Sequence, residues 1–133
     1  MNPRYYPVAE RAEHRCEYCR APEIIFNFPF EVEHIHPSSK GGAGDDSNTA
    51  LACRACNSFK SDYFTGIDSE SSQEVELFHS RRHSWSDHFR FNPASAMIEG
   101  VTPAGRATAA RLRFNSPLQL ATRLVWIELG LFA

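Results

Sequence analysis

A glutamate and a histidine stand side by side at 33 and 34, an asparagine follows at 48, and Cys53-x-x-Cys56-Asn57-x-x-Lys60 comes directly after. An imidazole can take a proton from water close to neutral pH. A carboxylate and an amide oxygen, here Glu33 and Asn57, suit a hard divalent cation such as magnesium. Adjacent strand residues point to opposite faces, so a strand ending at this pair could serve an ion and a water from one place in the backbone. Arg54, Asn57 and Lys60 recur at one helical turn, so a helix would set them on a common side. Arg54 and Lys60 could then grip phosphates, and the plainer alternative is a pair of solvated charges.

The cysteines form two pairs, Cys16-x-x-Cys19 and Cys53-x-x-Cys56, with 33 residues between them. Two residues between thiolates let one turn of chain place both sulfurs on a tetrahedral ion, and two such pairs read as a four-thiolate zinc site. Disulfides or a redox dithiol are the alternatives. A zinc with four protein ligands has no open position, so any chemistry would have to occur elsewhere.

The elements that must position these groups are short. "EIIFNFPFEVEHI" is rich in β-branched and aromatic residues and reads as strand, interrupted at Pro29. "HPSSKGGAGDDSN" is turn chemistry throughout, and Asn48 at its end can bond local backbone. "TALAC" reads as a returning strand and "RACNSFKSDYF" as a helix, while "VAERAEHRCEYC" leads helically into the first cysteines. "GIDSESSQ" reads as a polar connection. Beyond it come a helix or loop and a strand in "EVELFHSRRHSWSDHFRFN", a second strand in "SAMIEGVT", and two helices opened by Thr102-Pro103 and Ser116-Pro117. Gly105 weakens the first of these helices. The second ends on Gly130 and is apolar around most of its circumference, which predicts burial in its own core or, less readily, against a second copy of the chain.

The chain of 133 residues suits one domain, and ten phenylalanines can support a modest core. The amino terminus has no apolar segment of the signal-peptide kind, and no apolar run is long enough to span a membrane. A cytoplasmic location is the expectation, where thiols stay reduced and zinc is favoured over disulfides. The net charge of −2 is uneven, because residues 1–78 hold seven Lys+Arg against thirteen Asp+Glu and residues 79–133 seven against three. The second part could face phosphates, although a solvated surface explains the same imbalance.

Taken together, "C-x-x-C … EVEHIHP-x-x-KGG-x-x-x-x-x-SN-x-x-x-x-C-x-x-CN-x-x-K" over about residues 16–62 resembles the HNH endonuclease family, in its zinc-containing form. The family usually has Asp-His where this chain has Glu33-His34, and His or Asn at the position of Asn57. Later residues, among them Trp85, His88, Phe89, Gly100, Thr102, Gly105, Asn115, Arg123 and Trp126, are similar to a tail found in small stand-alone bacterial HNH proteins.

The resemblance implies an α+β fold with a ββα-metal (His-Me finger) core, stapled by a structural zinc on Cys16, Cys19, Cys53 and Cys56. It implies His34 as the general base, Asn48 as the residue that ties the loop and orients it, and Glu33 and Asn57 as ligands of one catalytic divalent ion, Mg2+ or another such as Mn2+ or Ni2+. Arg54 and Lys60 remain candidates for phosphate contacts. The expected organisation is a single domain over 1–133, with the zinc and ββα-metal core at about 14–64 and a helical carboxy-terminal extension at about 74–133. The expected activity is hydrolysis of DNA phosphodiester bonds, with single- or double-stranded substrate unresolved, no membrane partner, and a homodimer open. A zinc-stabilised nucleic-acid-binding module that does not cut is the alternative.

Overall fold

The sequence "YYPVAER" carries its apolar residues at helical spacing, and α1 (Tyr5–Arg11) buries Tyr5, Val8 and Ala9 on one side. The computed structural model describes residues 2–132. They divide into two compact units, Met1–Phe64 with His79–His83, and Thr65–Phe78 with Ser84–Ala133.

In the first unit, β1 (Glu31–His34) pairs antiparallel with β2 (Thr49–Ala52), with Glu33 opposite Ala50 and His34 opposite Thr49. Every β2 position is buried. Helix α2 (Arg54–Lys60) follows at once, capped by Cys53, whose Sγ accepts the Cys56 N–H at 3.5 Å. The order is therefore strand, strand, helix. The strand expected from residue 23 onward is shorter than its composition suggests. Residues 23–25 form a single 3-10 turn, Pro29 offers no N–H to a ladder, and Phe28 is 77% exposed.

The second unit is built from two hairpins and three helices. Strand β3 (Thr65–Ile67) pairs with β4 (Glu74–Glu76), so the stretch read as a polar connection supplies the end of β3 and the turn of a hairpin. Its turn is organised by buried Asp68, which accepts from the Ser71 hydroxyl at 2.7 Å and from Arg106 Nε at 2.7 Å. These donors, Arg106 first, hold the Asp68 carboxyl well below the usual carboxylate range. A short helix, α3 (Trp85–His88), leads into β5 (Phe89–Phe91), which pairs with β6 (Ile98–Gly100).

Helix α4 (Pro103–Arg111) starts as its sequence requires, with Thr102 Oγ1 accepting the Gly105 N–H at 3.0 Å and proline in the first turn. Gly105 has a packing reason, since a Cβ there would lie 2.1 Å from the His88 carbonyl oxygen. Helix α5 (Pro117–Glu128) departs from the expected all-round burial: Leu118 and Val125 are 75% and 51% exposed, and Leu129, just past its end, is 66% exposed. The side chain buried on this helix is Arg123, which donates to the carbonyls of Ala96 at 2.7 Å and Phe114 at 2.8 Å. Among the described residues no helix is long and apolar enough to cross a membrane.

Candidate active site and metal centre

The two cysteine pairs meet in the first unit. Cys16 and Cys19 lie in the turn after α1, Cys53 caps α2 and Cys56 sits in its first turn. All four are buried and free of disulfides, and their sulfurs lie within 4.8 Å of one another. Bonds of about 2.3 Å to a tetrahedral zinc put sulfurs about 3.8 Å apart. The Cys19–Cys53 separation of 3.7 Å fits that geometry, so the cluster could hold a metal such as zinc. Proton sharing among the thiols draws Cys53 down and pushes Cys19 and Cys56 up, with burial adding to the rise.

His34 ends β1 half-buried, and its ring makes no hydrogen bond among the described residues. The loop from residue 35 to 48 comes back over it, so that a Cβ on Gly44 would lie 3.5 Å from His34 Nε2. That loop is folded by Asn48. The buried Asn48 amide accepts the His36 N–H at 2.8 Å and donates to the carbonyls of His36 at 2.9 Å and Ala43 at 2.7 Å. Asn48 thus ties loop to strand, but through the backbone at His36 and not through the His34 ring. Gly42 is required beside it, because a Cβ there would fall 1.8 Å from the His36 carbonyl oxygen.

Glu33 points the other way, into the interior. Its Oε2 accepts the Tyr18 hydroxyl at 2.7 Å, and its Oε1 lies 2.5 Å from Lys60 Nζ. Lys60 is fully buried and also donates to the carbonyls of Ile35 at 2.8 Å and His34 at 3.3 Å. Burial pushes the Glu33 carboxyl up, and Lys60 and Tyr18 pull it only part of the way back.

This arrangement corrects two expectations. Lys60 is enclosed and holds the end of β1, so it presents no ammonium to a phosphate. A helix advances about 100° per residue, so Lys60 lies about 120° around from Arg54 and faces β1. Arg54 remains exposed with no ion pair among the described residues. Glu33, likewise, presents no open oxygen to a divalent ion. Its neighbour across the would-be site is a cation, and the expected ion does not fit this carboxylate as the structure holds it. Asn57 is half-buried on α2, and its side-chain amide makes no hydrogen bond among the described residues.

Sequence reasoning missed the partners in sequence-distant segments. Tyr18, between the first two cysteines, gave no sign of its bond to Glu33. Glu17 beside it accepts the Leu51 N–H at 2.8 Å and pairs with Arg81 from the returning segment His79–His83. Three other histidines have structural partners: His14 Nδ1 meets Glu23 at 2.6 Å, His36 Nε2 meets the Lys40 carbonyl at 2.9 Å, and His88 Nδ1 meets Thr102 Oγ1 at 2.6 Å.

Residues 16–62, which hold the four cysteines, His34, Asn48 and Asn57, match the HNH endonuclease family. No curated protein and no solved structure matches the chain significantly.

Proposed function

We propose that this chain is an endonuclease that hydrolyses DNA phosphodiester bonds, with His34 as the general base, on a ββα-type core held by zinc at Cys16, Cys19, Cys53 and Cys56. The observation that carries the reading is the family match over residues 16–62 together with an unencumbered imidazole at the end of β1. When bound, the zinc supplies folding energy and no reaction step. His34 would take the proton of a water attacking phosphorus, with Nε2 beside Gly44. Asn48 would hold the loop that frames this position, and exposed Arg54 would attract the DNA backbone. The Tyr18–Glu33–Lys60 network would fix the strand end that carries the base.

The enclosed Glu33 favours a second reading, a zinc-stabilised module that binds nucleic acid without cutting it. Incubating plasmid with purified protein in Mg2+, Mn2+ or Ni2+ separates the two. Nicked or linear product supports the nuclease. A retarded plasmid band with no product in any metal supports the binding module.

A further inference from the structure

Beside the His34 position, on the far side of the loop that Asn48 ties, the first unit has a polar cavity. It measures about 230 Å³ and is lined by the loop residues Gly41, Gly42, Ala43 and Ser47 with His36 and Asn48, and by His79 and Arg82 of the returning segment. Arg82 belongs to the basic second part of the chain that could face phosphates, whereas His79 reads from the sequence as a structural or exposed histidine.

The lining is biased toward donors. The His79 ring is largely buried, and its Nδ1 accepts the Arg81 N–H at 3.3 Å, so the ring proton sits on Nε2. Nε2 has no hydrogen-bond partner among the described residues. Arg82 is exposed and forms no ion pair among them. Burial, with Arg82, His83 and Arg81 close by, holds the His79 imidazole down at about 4. The ring is therefore a neutral donor at physiological pH. The other polar groups are already occupied: Asn48 is bonded on both sides, and the Ser47 hydroxyl donates to Asp45 at 2.5 Å. The cavity thus offers a guanidinium with no ion pair among the described residues and an N–H donor on a buried ring. Arginine with directed N–H groups is the pattern that recognises phosphate oxygens.

We propose that this cavity binds a backbone phosphate of DNA, through Arg82 and His79 Nε2. The identification with DNA rests on the nuclease reading. It draws on the continuity of the loop, whose residues 41–43 line the cavity while Gly44 lies against the His34 ring. A strand following this loop would meet Arg82 and the base in succession, so the cavity would set the register of the strand at the cut.

The test uses the full zinc-loaded chain labelled with 15N-histidine, titrated first with inorganic phosphate and then with a short DNA duplex. Both probes are expected to shift the His79 Nε2 resonance, and Arg82→Gln is expected to abolish the phosphate shift. The same variant should weaken duplex binding about tenfold and lower the salt slope by about one. His79→Asn, which keeps an acceptor for the Arg81 N–H and loses the outer donor, should weaken binding as well; Arg82→Gln changes an exposed side chain and covers the case in which that variant fails to fold. A phosphate shift with no shift by bound duplex overturns the assignment to DNA and leaves a site for free phosphate. No shift with either probe overturns the site. If neither the duplex nor its separated single strands bind while phosphate still shifts His79, the nuclease reading fails and the anion cavity stands.

Discussion

Lys60 Nζ lies 2.5 Å from Glu33 Oε1 with both side chains enclosed, and the same ammonium holds the carbonyls of His34 and Ile35. One cation therefore neutralises the buried carboxylate and fixes the end of the strand that carries His34. Removing one partner of a buried pair strands the other charge, at a cost of about 3–5 kcal/mol. Lys60→Met should lower stability by about that amount in urea unfolding. The double variant Lys60→Met/Glu33→Gln should recover much of the loss, since it buries no charge. Equal losses in the single and double variants would show that the pair is not what holds this region.

Asn48 makes three hydrogen bonds that close the loop on the strand. Asn48→Ala leaves the part-buried His36 N–H without its acceptor and removes two further bonds, and a loss of about 2–4 kcal/mol is expected. Amide exchange should quicken across residues 35–48 and much less in α4 or α5. Unchanged protection in the loop would contradict the role given to Asn48.

His79 sets a pH dependence. Its folded value of about 4 lies below the ordinary 6.5, so between those pH values the unfolded chain binds more protons than the folded one. The contribution to stability is fully present above pH about 6.5 and is lost as pH falls toward 4. The urea midpoint of the wild type should fall more steeply across that window than that of His79→Asn. Parallel profiles would remove His79 as a source of acid sensitivity.

The cysteines give a prediction for the metal. A structural zinc contributes on the order of 10 kcal/mol to folding in small zinc modules, comparable to the whole stability of a domain. Cys53→Ser, or a strong chelator on the wild type, should release zinc and unfold the first unit, as seen by lost amide protection around residues 49–60. Full protection without bound zinc would contradict the assignment.

The parts of this fold that were legible in the sequence are those whose determinants are local. Two Cys-x-x-Cys pairs, a turn-forming loop ending in Asn48, and Thr102-Pro103 each state their geometry within a few residues, and each is found so. The hairpin β3–β4 was hidden because its strands are only three residues long, too short for the alternation in Glu74-Val75-Glu76 to mark a strand. Burial of Lys60 depends on which side of α2 meets β1, and a one-turn spacing rule does not fix that. Helix α5 looked enclosed because its apolar residues are numerous, whereas the buried place is taken by Arg123, whose guanidinium bonds two carbonyls. The return of His79–His83 to the first unit leaves no mark in the local sequence at all.

The central claim is that His34 is the base of a phosphodiesterase. The most direct measurement is the single-turnover rate of DNA cleavage by wild type and by His34→Ala, with zinc content, melting temperature and DNA affinity recorded for both. The rate is expected to fall by about 10²–10⁴-fold while the other three stay at their wild-type values. Cleavage by His34→Ala at the wild-type rate, with the fold and zinc intact, would contradict it.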